Sequence, residues 1–100
     1  MDKDFEILSN QHISGIKRLV NEYLLYVGNQ KVGIKIYLES NGYYQMKTSH
    51  YYKGKDKASA YITSAANFSS EEEALRNAKN QLLSFYDGEG EWKKNDDYNL

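Results

Sequence analysis

The segment from residue 31 to residue 39, KVGIKIYLE, constrains the fold most, because its large apolar residues recur at every second position. Successive side chains of a β-strand point to opposite faces, so this period predicts a half-buried strand. Asn41 and Gly42 follow, and this pair tolerates the positive φ angles of a two-residue hairpin turn. We therefore expect a second, antiparallel strand at about residues 43–52. The predicted core positions are Val32, Ile34, Ile36, Leu38, Tyr44 and Met46.

A third strand is expected at residues 58–65, ASAYITSA, after the polar turn GKDK at 54–57. In the matching register the buried side chains would be Ala58, Ala60 and Ile62, and the outward ones Ser59, Tyr61 and Thr63. Three short strands joined by short turns form an antiparallel meander.

A helix over residues 70–86 is the best-specified element. Ser70 and Glu73 have the spacing of a reciprocal capping box, and carboxylates in a first helical turn interact favourably with the helix dipole. Asp87-Gly88 ends the helix, because glycine can adopt the left-handed conformation of a helix stop. The predicted buried face consists of Leu75, Ala78, Leu82 and Phe85.

The first quarter of the chain allows two interpretations. Residues 9–26 predict a helix, because Ser9 or Asn10 can act as N-cap and apolar residues follow at helical spacing; these are Ile13, Ile16, Val20 and Tyr23. The run EYLLYV at 22–27 alternatively predicts a strand that turns at Gly28-Asn29.

These elements predict an α+β fold in the order helix, three-stranded antiparallel meander, helix, with both helices on one face of the sheet. One hundred residues are enough for one small domain, which we place at residues 1–88. We expect residues 89–100 to form a polar, acidic tail from which Trp92 folds back onto the domain.

The composition argues against catalysis. The chain has no cysteine, so thiolate nucleophiles, disulfides and cysteine-bound zinc are excluded. His12 and His50 stand alone, without a second ligand at metal-binding spacing, and no phosphate-binding loop is present. We therefore expect a non-enzymatic protein without cofactor or metal. No apolar run is long enough to cross a membrane and the first residues lack a secretory pattern, so we expect a cytoplasmic protein without a membrane partner.

The opposite face of the predicted sheet is rich in tyrosine and lysine. One interpretation is that tyrosines stabilise cross-strand pairs on a solvated face; the other is that they present a rigid, amphipathic surface to a partner. The residues of this face are Lys35, Tyr37, Tyr43, Gln45, Lys47, Tyr51 and Tyr61.

The helix start FSSEEEA, with Phe68, Glu72, Glu73 and Ala74, follows the three predicted strands. The combination resembles the DNA-reading domains of plant ethylene-response factors and the arm-binding domains of phage integrases over about residues 32–86. In those families the sheet lies in the major groove, and the resemblance implies groove-facing positions at Lys35, Tyr37, Tyr43, Gln45, Lys47 and Tyr61. This chain lacks the arginines with which such sheets hold guanine.

The predicted order of elements also resembles the double-stranded-RNA-binding fold. That family places lysines at the start of its last helix, where this chain has Glu71, Glu72 and Glu73, so the likeness extends to topology alone. A compact, cysteine-free and proline-free chain rich in Lys, Asn, Tyr and Ile is similar in type to phage and mobile-element accessory proteins, including anti-CRISPR inhibitors. Such a resemblance implies a protein that docks on a nucleic-acid-binding enzyme and blocks its groove.

Charge separates the two binding hypotheses. Residues 31–57 contain six lysines against two acids, a net charge of +4, and residues 58–100 contain eight acids against four bases, a net charge of −4. The acidic part would weaken nucleic-acid binding, so we favour a protein partner with a basic groove and keep a DNA- or RNA-binding sheet as the alternative. The predicted protein-binding residues are Glu71, Glu72, Glu73, Asp87, Glu89, Glu91, Asp96 and Asp97.

Overall fold

The computed structural model describes residues 2–99 of the chain. Its elements, in chain order, are α1 (Lys3–Leu8), β1 (Lys17–Val27), β2 (Gln30–Glu39), β3 (Tyr44–Thr48), β4 (His50–Lys53), α2 (Glu71–Leu83) and β5 (Glu91–Lys94). Strands β1, β2 and β3 form an antiparallel sheet in that order, and β4 pairs with β5 in a separate two-stranded sheet. The predicted α+β class is confirmed, and a helix, a three-stranded meander and a second helix follow one another. The meander, however, is built from residues 17–48 and not from residues 31–65.

Strand β2 is the central strand and behaves as its period predicts. Val32, Ile34 and Ile36 are almost completely buried, and together with Phe68, Ala74, Ala78 and Leu82 they form the core. Tyr44 and Met46 of β3 pack against this core, as expected. A hairpin at Asn41-Gly42 is confirmed, but its loop consists of the three residues 40–42, and of the predicted pair only Gly42 has a positive φ, of 90°.

The helix predicted at residues 9–26 is wrong, and the alternative strand is correct. Strand β1 pairs with β2 from Lys17↔Glu39 to Val27↔Gln30, with a bulge between Leu19 and Asn21. The turn lies at Gly28, whose φ is 60°. The apolar residues of this stretch fit both a helical and a strand period. Pairing with β2 favours the strand, because it provides hydrogen-bond partners for backbone amides and carbonyls of both strands.

The strand predicted at residues 58–65 is also wrong, because this segment has no regular secondary structure. It is held by single hydrogen bonds: the Tyr61 amide donates to the Tyr52 carbonyl, and the Thr63 amide donates to Oε1 of Gln81. Ile62, expected in the core, is 57% exposed. The neighbouring strand β4 forms its ladder with β5, and the hydrogen bond between Tyr61 and Tyr52 is not continued into a ladder with residues 58–65.

The second predicted strand, residues 43–52, is divided at Ser49. Up to Thr48 it pairs with β2, and from His50 it pairs with β5. Ser49 joins the two sheets, because its amide donates to the Gly33 carbonyl while its own carbonyl accepts from the Asn95 amide. The strand therefore changes partner within one residue.

Helix α2 confirms Ser70 as N-cap, because Oγ of Ser70 accepts from the Glu73 amide. The reciprocal half of the predicted capping box differs: the Glu73 carboxylate accepts from the amide and hydroxyl of Ser69 and not from the Ser70 amide. The core face of α2 includes Ala74, Ala78 and Leu82. The helix ends at Leu83, before the predicted residue 86. Phe85 is consequently 42% exposed and not a core residue.

The sequence did not predict a buried polar link between α2 and β3. Nε2 of Gln81 donates to Oγ1 of Thr48 at 2.7 Å, and the Thr48 hydroxyl donates to the His50 carbonyl. Both side chains are buried and hydrogen-bonded, which removes the cost of burying them unpaired. Their pairing sets the position of α2 along the sheet.

The loose tail predicted at residues 89–100 is, over residues 91–98, part of the fold. Strand β5 pairs with β4, and Trp92 packs against Tyr52 with ring centroids 4.8 Å apart, which confirms that Trp92 folds back. Tyr98 is buried on the sheet face opposite α2. These contacts join strands that are distant in sequence, so local composition did not reveal them. Leu100 lies outside the described residues.

Helix α1 lies beside the start of β1. Asp2 caps it and also forms a salt bridge with Arg18 at 2.6 Å, and the Arg18 guanidinium lies over the ring of Phe5. Arg18 pairs with Leu38, which alternates in phase with Ile34 and Ile36, so α1 lies on the same side of the sheet as α2. Within residues 2–99, neither helix has the length and apolarity needed to cross a membrane.

Candidate protein-docking surface

Strand β1 forms one edge of the three-stranded sheet. It is 11 residues long, about 36 Å at the usual rise of a strand, and within residues 2–99 no strand pairs with it on the side away from β2. The opposite edge, at β3, is short and bonded to Phe68, whose amide and carbonyl pair with those of Tyr44. The long unpaired edge is thus confined to β1.

The second half of β1 lacks the features with which proteins usually protect an open edge. From Tyr23 to Val27 it has no charge and no proline, and the bulge lies before this stretch. Natural edge strands are normally short, charged, bulged or covered, and an unprotected edge pairs readily with another chain. The stretch YLLYV is therefore an edge without these protective features.

Apolar exposure is concentrated in the same part of the chain. Among the described residues twelve large apolar side chains are exposed, and seven of them lie between residues 7 and 26. On β1, Leu24 is 60% exposed and Tyr26 is 70% exposed. We call the backbone of β1 together with Leu19, Tyr23, Leu24, Leu25 and Tyr26 the apolar edge.

A groove of about 420 Å³ runs between the apolar edge and α2. Tyr23, Leu25 and Leu75 line its apolar walls. Its α2 rim is charged, with Glu72, Arg76 and Lys79 one helical turn or so apart. A strand added to β1 would therefore meet apolar side chains below and charges of both signs along the rim.

The face of the sheet opposite α2, which we call the open face, contains five of the seven predicted tyrosine and lysine positions. On β2 and β3, Lys35 pairs with Lys47 and Tyr37 pairs with Gln45. Tyr43 lies just before β3, at the end of the hairpin turn. Ammonium groups surround the Tyr37 ring: Nζ of Lys17 lies 4.8 Å and Nζ of Lys47 5.8 Å from its centroid. Burial lowers the pKa of Lys47, and the neighbouring charge of Lys17 lowers it further.

The C-terminal segment covers part of the open face. The Tyr98 hydroxyl donates to Glu22 at 3.0 Å, and its ring occupies the space above Gly33. Nζ of Lys35 and Nζ of Lys47 donate to the carbonyls of Tyr98 and Asp97, each at 3.0 Å. These two lysines are therefore bound within the chain. Burial and the hydrogen bond to Glu22 raise the pKa of Tyr98.

The remaining two tyrosines lie elsewhere. Tyr51 belongs to β4, where burial and the charge of Asp97 raise its pKa. Tyr61 packs edge-on against Phe85, with ring centroids 5.2 Å apart, in the irregular segment after β4. The structure therefore does not bring Tyr61 together with the open-face residues.

The eight predicted acidic residues lie in three separate places. Glu71, Glu72 and Glu73 are at the start of α2, whose 13 residues extend about 20 Å. Beyond its other end lie Asp87, Glu89 and Glu91, and Asp97 lies beside Lys47 near the open face. Asp96 is exposed next to it. The structure does not form one acidic cluster from them.

Several of these carboxylates have partners in the chain. Glu71 accepts from Asn21, Glu72 forms a salt bridge with Arg76 at 2.6 Å, and Glu91 forms one with Lys93 at 3.0 Å. Lys55 lies 4.0 Å from Glu89. Their charge is thus partly compensated locally.

Asp87 organises a turn. Its carboxylate accepts hydrogen bonds from the Tyr52 hydroxyl at 2.5 Å and from the amides of Lys55, Glu89 and Gly90 at 2.9 Å. The Tyr52 hydroxyl and these amides hold the pKa of Asp87 far below its ordinary value. This geometry assigns Asp87 a structural part in joining the end of α2 to β4 and β5.

The two histidines and the acidic residues of the described part of the chain do not group into a metal site. Among residues 2–99, no three His, Cys, Asp or Glu side chains are grouped so that they could hold a metal ion. His50 is hydrogen-bonded to Ser49 at 2.7 Å, and burial lowers its pKa. His12 is exposed and contacts Gln11.

Sequence reasoning missed the apolar edge, although one signal pointed to it. The alternative strand at residues 22–27, turning at Gly28-Asn29, already contained the uncharged run. What could not be seen was that β1 lies at the end of the sheet, because the position of a strand depends on which other strands pair.

Comparison of the chain with protein-family models, curated proteins and solved structures gave no match.

Proposed function

We propose that this protein is a non-catalytic binding protein that docks on a partner protein through the apolar edge. One observation carries the proposal: the uncharged stretch Tyr23–Val27 is an unpaired strand edge with exposed apolar side chains. Strand addition supplies affinity through main-chain hydrogen bonds, and the neighbouring groove supplies side-chain selectivity. Inhibition of a nucleic-acid-binding enzyme, the use implied by the resemblance to phage accessory proteins, remains a prediction.

The proposal shifts the docking surface from the predicted acidic residues to β1. The acidic residues lie in three places and several are paired, which weakens their joint attraction for a basic groove. Contacts at the apolar edge rest on burial and backbone hydrogen bonds, so they should resist salt. Binding by exposed carboxylates should instead weaken as salt is added.

A nucleic-acid-binding sheet is the second candidate. The convergence of Lys17, Lys35 and Lys47 on the open face favours it. Glu22 and Glu39 lie directly opposite Lys35 and Lys17, and the C-terminal segment occupies two of the lysines. We therefore rank it below protein docking.

The test compares immobilised wild type with the double variant Leu24→Lys, Tyr26→Lys in capture from a nuclease-treated bacterial lysate. We expect the variant to lose most of the captured protein and to keep the wild-type melting temperature, because both side chains are exposed. The matched control, Ile62→Lys, alters an equally exposed apolar residue away from β1.

Salt and nuclease separate the three surfaces. Capture through the apolar edge should change little as salt rises. A strong loss with salt in the nuclease-treated lysate would favour the acidic residues. Capture that occurs in an untreated lysate but not in the nuclease-treated one would favour nucleic acid. Wild-type capture by the double variant would contradict the proposal.

A further inference from the structure

We infer that Asn41 is a site of spontaneous deamidation, at which the hairpin turn between β2 and β3 is converted into aspartyl and isoaspartyl forms. The reaction joins the backbone nitrogen of Gly42 to the side-chain carbonyl carbon of Asn41. This modification is separate from the proposed docking function and does not depend on it. The sequence of the turn, its exposure and its hydrogen bonds support the inference.

The sequence of the turn leaves the attacking nitrogen accessible. Of the nine asparagines in the chain, Asn41 is the only one followed by glycine. A side chain on the following residue crowds the approach of its backbone nitrogen to the asparagine, and glycine has none. Beyond its chain neighbours, a Cβ atom at Gly42 would meet no atom within 4 Å, so the space beside this peptide is open. Residues 40–42 are all exposed, so water and hydroxide ions reach the loop.

Hydrogen bonds hold the Asn41 side chain in a favourable conformation. Its Oδ1 accepts from the Tyr43 backbone amide at 3.0 Å, which closes an Asx turn around the Gly42 peptide. Its Nδ2 donates to Oε2 of Glu39 at 3.3 Å. Negative charge develops on Oδ1 when the side-chain carbonyl carbon is attacked, and the Tyr43 amide already lies at that oxygen. A donor placed where charge develops lowers the barrier of such a reaction.

One hydrogen bond opposes the reaction. The backbone amide of Gly42 donates to the Glu39 carbonyl at 2.9 Å, and this bond must break before the nitrogen can attack. The bond lies in an exposed loop at the end of the hairpin, where opening is local and does not require global unfolding. A single exposed hydrogen bond should therefore slow the reaction by no more than about tenfold relative to a free peptide.

The chemistry needs only water and base. Base removes the proton from the Gly42 nitrogen, the nitrogen attacks Cγ of Asn41, and the new C–N bond closes a succinimide ring. The bond between Cγ and Nδ2 breaks, and the former side-chain nitrogen leaves as ammonia after taking up a proton. Water then opens the ring. Attack at Cγ gives aspartate, and attack at the main-chain carbonyl of residue 41 gives isoaspartate, in which the main chain runs through Cβ and Cγ.

The chain has one comparable pair, Asp87-Gly88, which the structure protects. The Asp87 carboxylate accepts hydrogen bonds from the Tyr52 hydroxyl and from three backbone amides. These bonds fix the side chain and hold the pKa of Asp87 far below its ordinary value. An ionised carboxylate resists attack by a nitrogen nucleophile. We therefore expect residue 87 to stay unchanged while Asn41 reacts.

The modification changes both the charge and the length of the turn. Residues 31–57 would carry six lysines against three acids in place of two, so their net charge would fall from +4 to +3. An isoaspartyl residue also adds a methylene group to the main chain of a loop that joins two paired strands. We expect the isoaspartyl form to melt below the aspartyl form, because the lengthened loop no longer fits the β2–β3 register.

Peptide mapping by mass spectrometry tests the inference on the whole protein. The protein and a synthetic peptide of residues 38–45 are incubated together in neutral buffer. Asn41 should be the first asparagine to react, should give aspartate and isoaspartate together, and should react no more than about tenfold slower than the peptide. The rate should rise with pH, because base removes the nitrogen proton. Asn41→Gln is the matched control and should stay unmodified at residue 41, because its side chain is one methylene longer.

Several results would overturn the inference. These are earlier reaction at another asparagine, reaction at Asn41 more than about tenfold slower than in the peptide, and formation of aspartate without isoaspartate, which would indicate direct hydrolysis. Equal melting of the two product forms, separated by ion exchange, would overturn the expected effect on the hairpin.

Lysate capture is an independent measurement that separates this inference from the proposed function. The turn lies at the Lys17 end of β1, and Tyr23–Val27 lie at the other end. Deamidated protein should therefore be captured as the fresh protein is. Failure of the docking proposal would leave the modification of Asn41 unaffected.

Discussion

At the scale of single residues, the core depends on side chains that α2 presents to β2 and β3. Leu82 is 1% exposed and belongs to the same cluster as Ile34 and Ile36. Its neighbour Leu83 is 39% exposed at the last position of the helix. Two leucines adjacent in sequence therefore differ in burial because successive helical residues point about 100° apart.

Replacing Leu82 with alanine should lower the free energy of unfolding by about 2–5 kcal/mol, the usual cost of removing a buried leucine and leaving a cavity. Leu83→Ala is the control and should change it by less than about 0.5 kcal/mol. Urea denaturation monitored by circular dichroism measures both. Equal effects of the two substitutions would show that the buried face of α2 is misassigned.

At the scale of elements, the turn after α2 is held by one carboxylate. Asp87 accepts hydrogen bonds from Tyr52 and from three backbone amides, which joins the end of the helix to both strands of the small sheet. Rings of Tyr52, Tyr86 and Trp92 pack beside it, with centroids 4.8 to 6.0 Å apart. The ionised carboxylate of Asp87 therefore stabilises the turn that joins α2 to β4 and β5.

Protonation of Asp87 at acid pH should destabilise the turn between α2 and the two-stranded sheet. Because the pKa of Asp87 is lower in the folded than in the unfolded chain, its stabilisation is present above the ordinary value of 3.8 and is lost as the pH falls toward the folded value. We expect Asp87→Asn to melt below the wild type near neutral pH, and the difference to shrink at about pH 2. Thermal melts at both pH values test this. A constant difference across that range would exclude a contribution from ionised Asp87.

At the scale of the whole molecule, the C-terminal segment and the central strand are fitted to each other. A Cβ atom at Gly33 would overlap the Tyr98 hydroxyl, so the absence of a side chain at residue 33 makes room for a ring 65 positions later. Tyr98 in turn bonds Glu22 on β1. Three distant parts of the chain thus meet on the open face.

Gly33→Ala should lower the free energy of unfolding by about 1–3 kcal/mol, because the added methyl group must displace Tyr98. In a Tyr98→Ala background the same substitution should cost less, or even stabilise the strand, since alanine loses less backbone entropy than glycine. A double-mutant cycle by urea denaturation measures the difference. Additive effects would mean that Tyr98 does not occupy the space above Gly33.

The sequence by itself determined the elements whose signals are local. The two-residue period of β2, the position of the hairpin at Asn41-Gly42 and the Ser70 N-cap of α2 each depend on a few neighbouring residues, and each was predicted correctly. Local hydrogen bonds and side-chain periodicity are sufficient to specify such elements, whatever the rest of the chain does.

Which strands pair was decided only by the tertiary structure. The candidate site depends on this pairing, because it is a strand edge that stays unpaired. Residues 17–27 fit a helix or a strand until β2 is present to pair with them, and residues 58–65 fit a strand but form no ladder with β4, whose ladder partner is β5. Strand pairing satisfies backbone groups that are far apart in sequence, so no local pattern encodes it. For the same reason, Tyr23–Val27 could be read as a strand from its residues, but not as the exposed edge of a sheet.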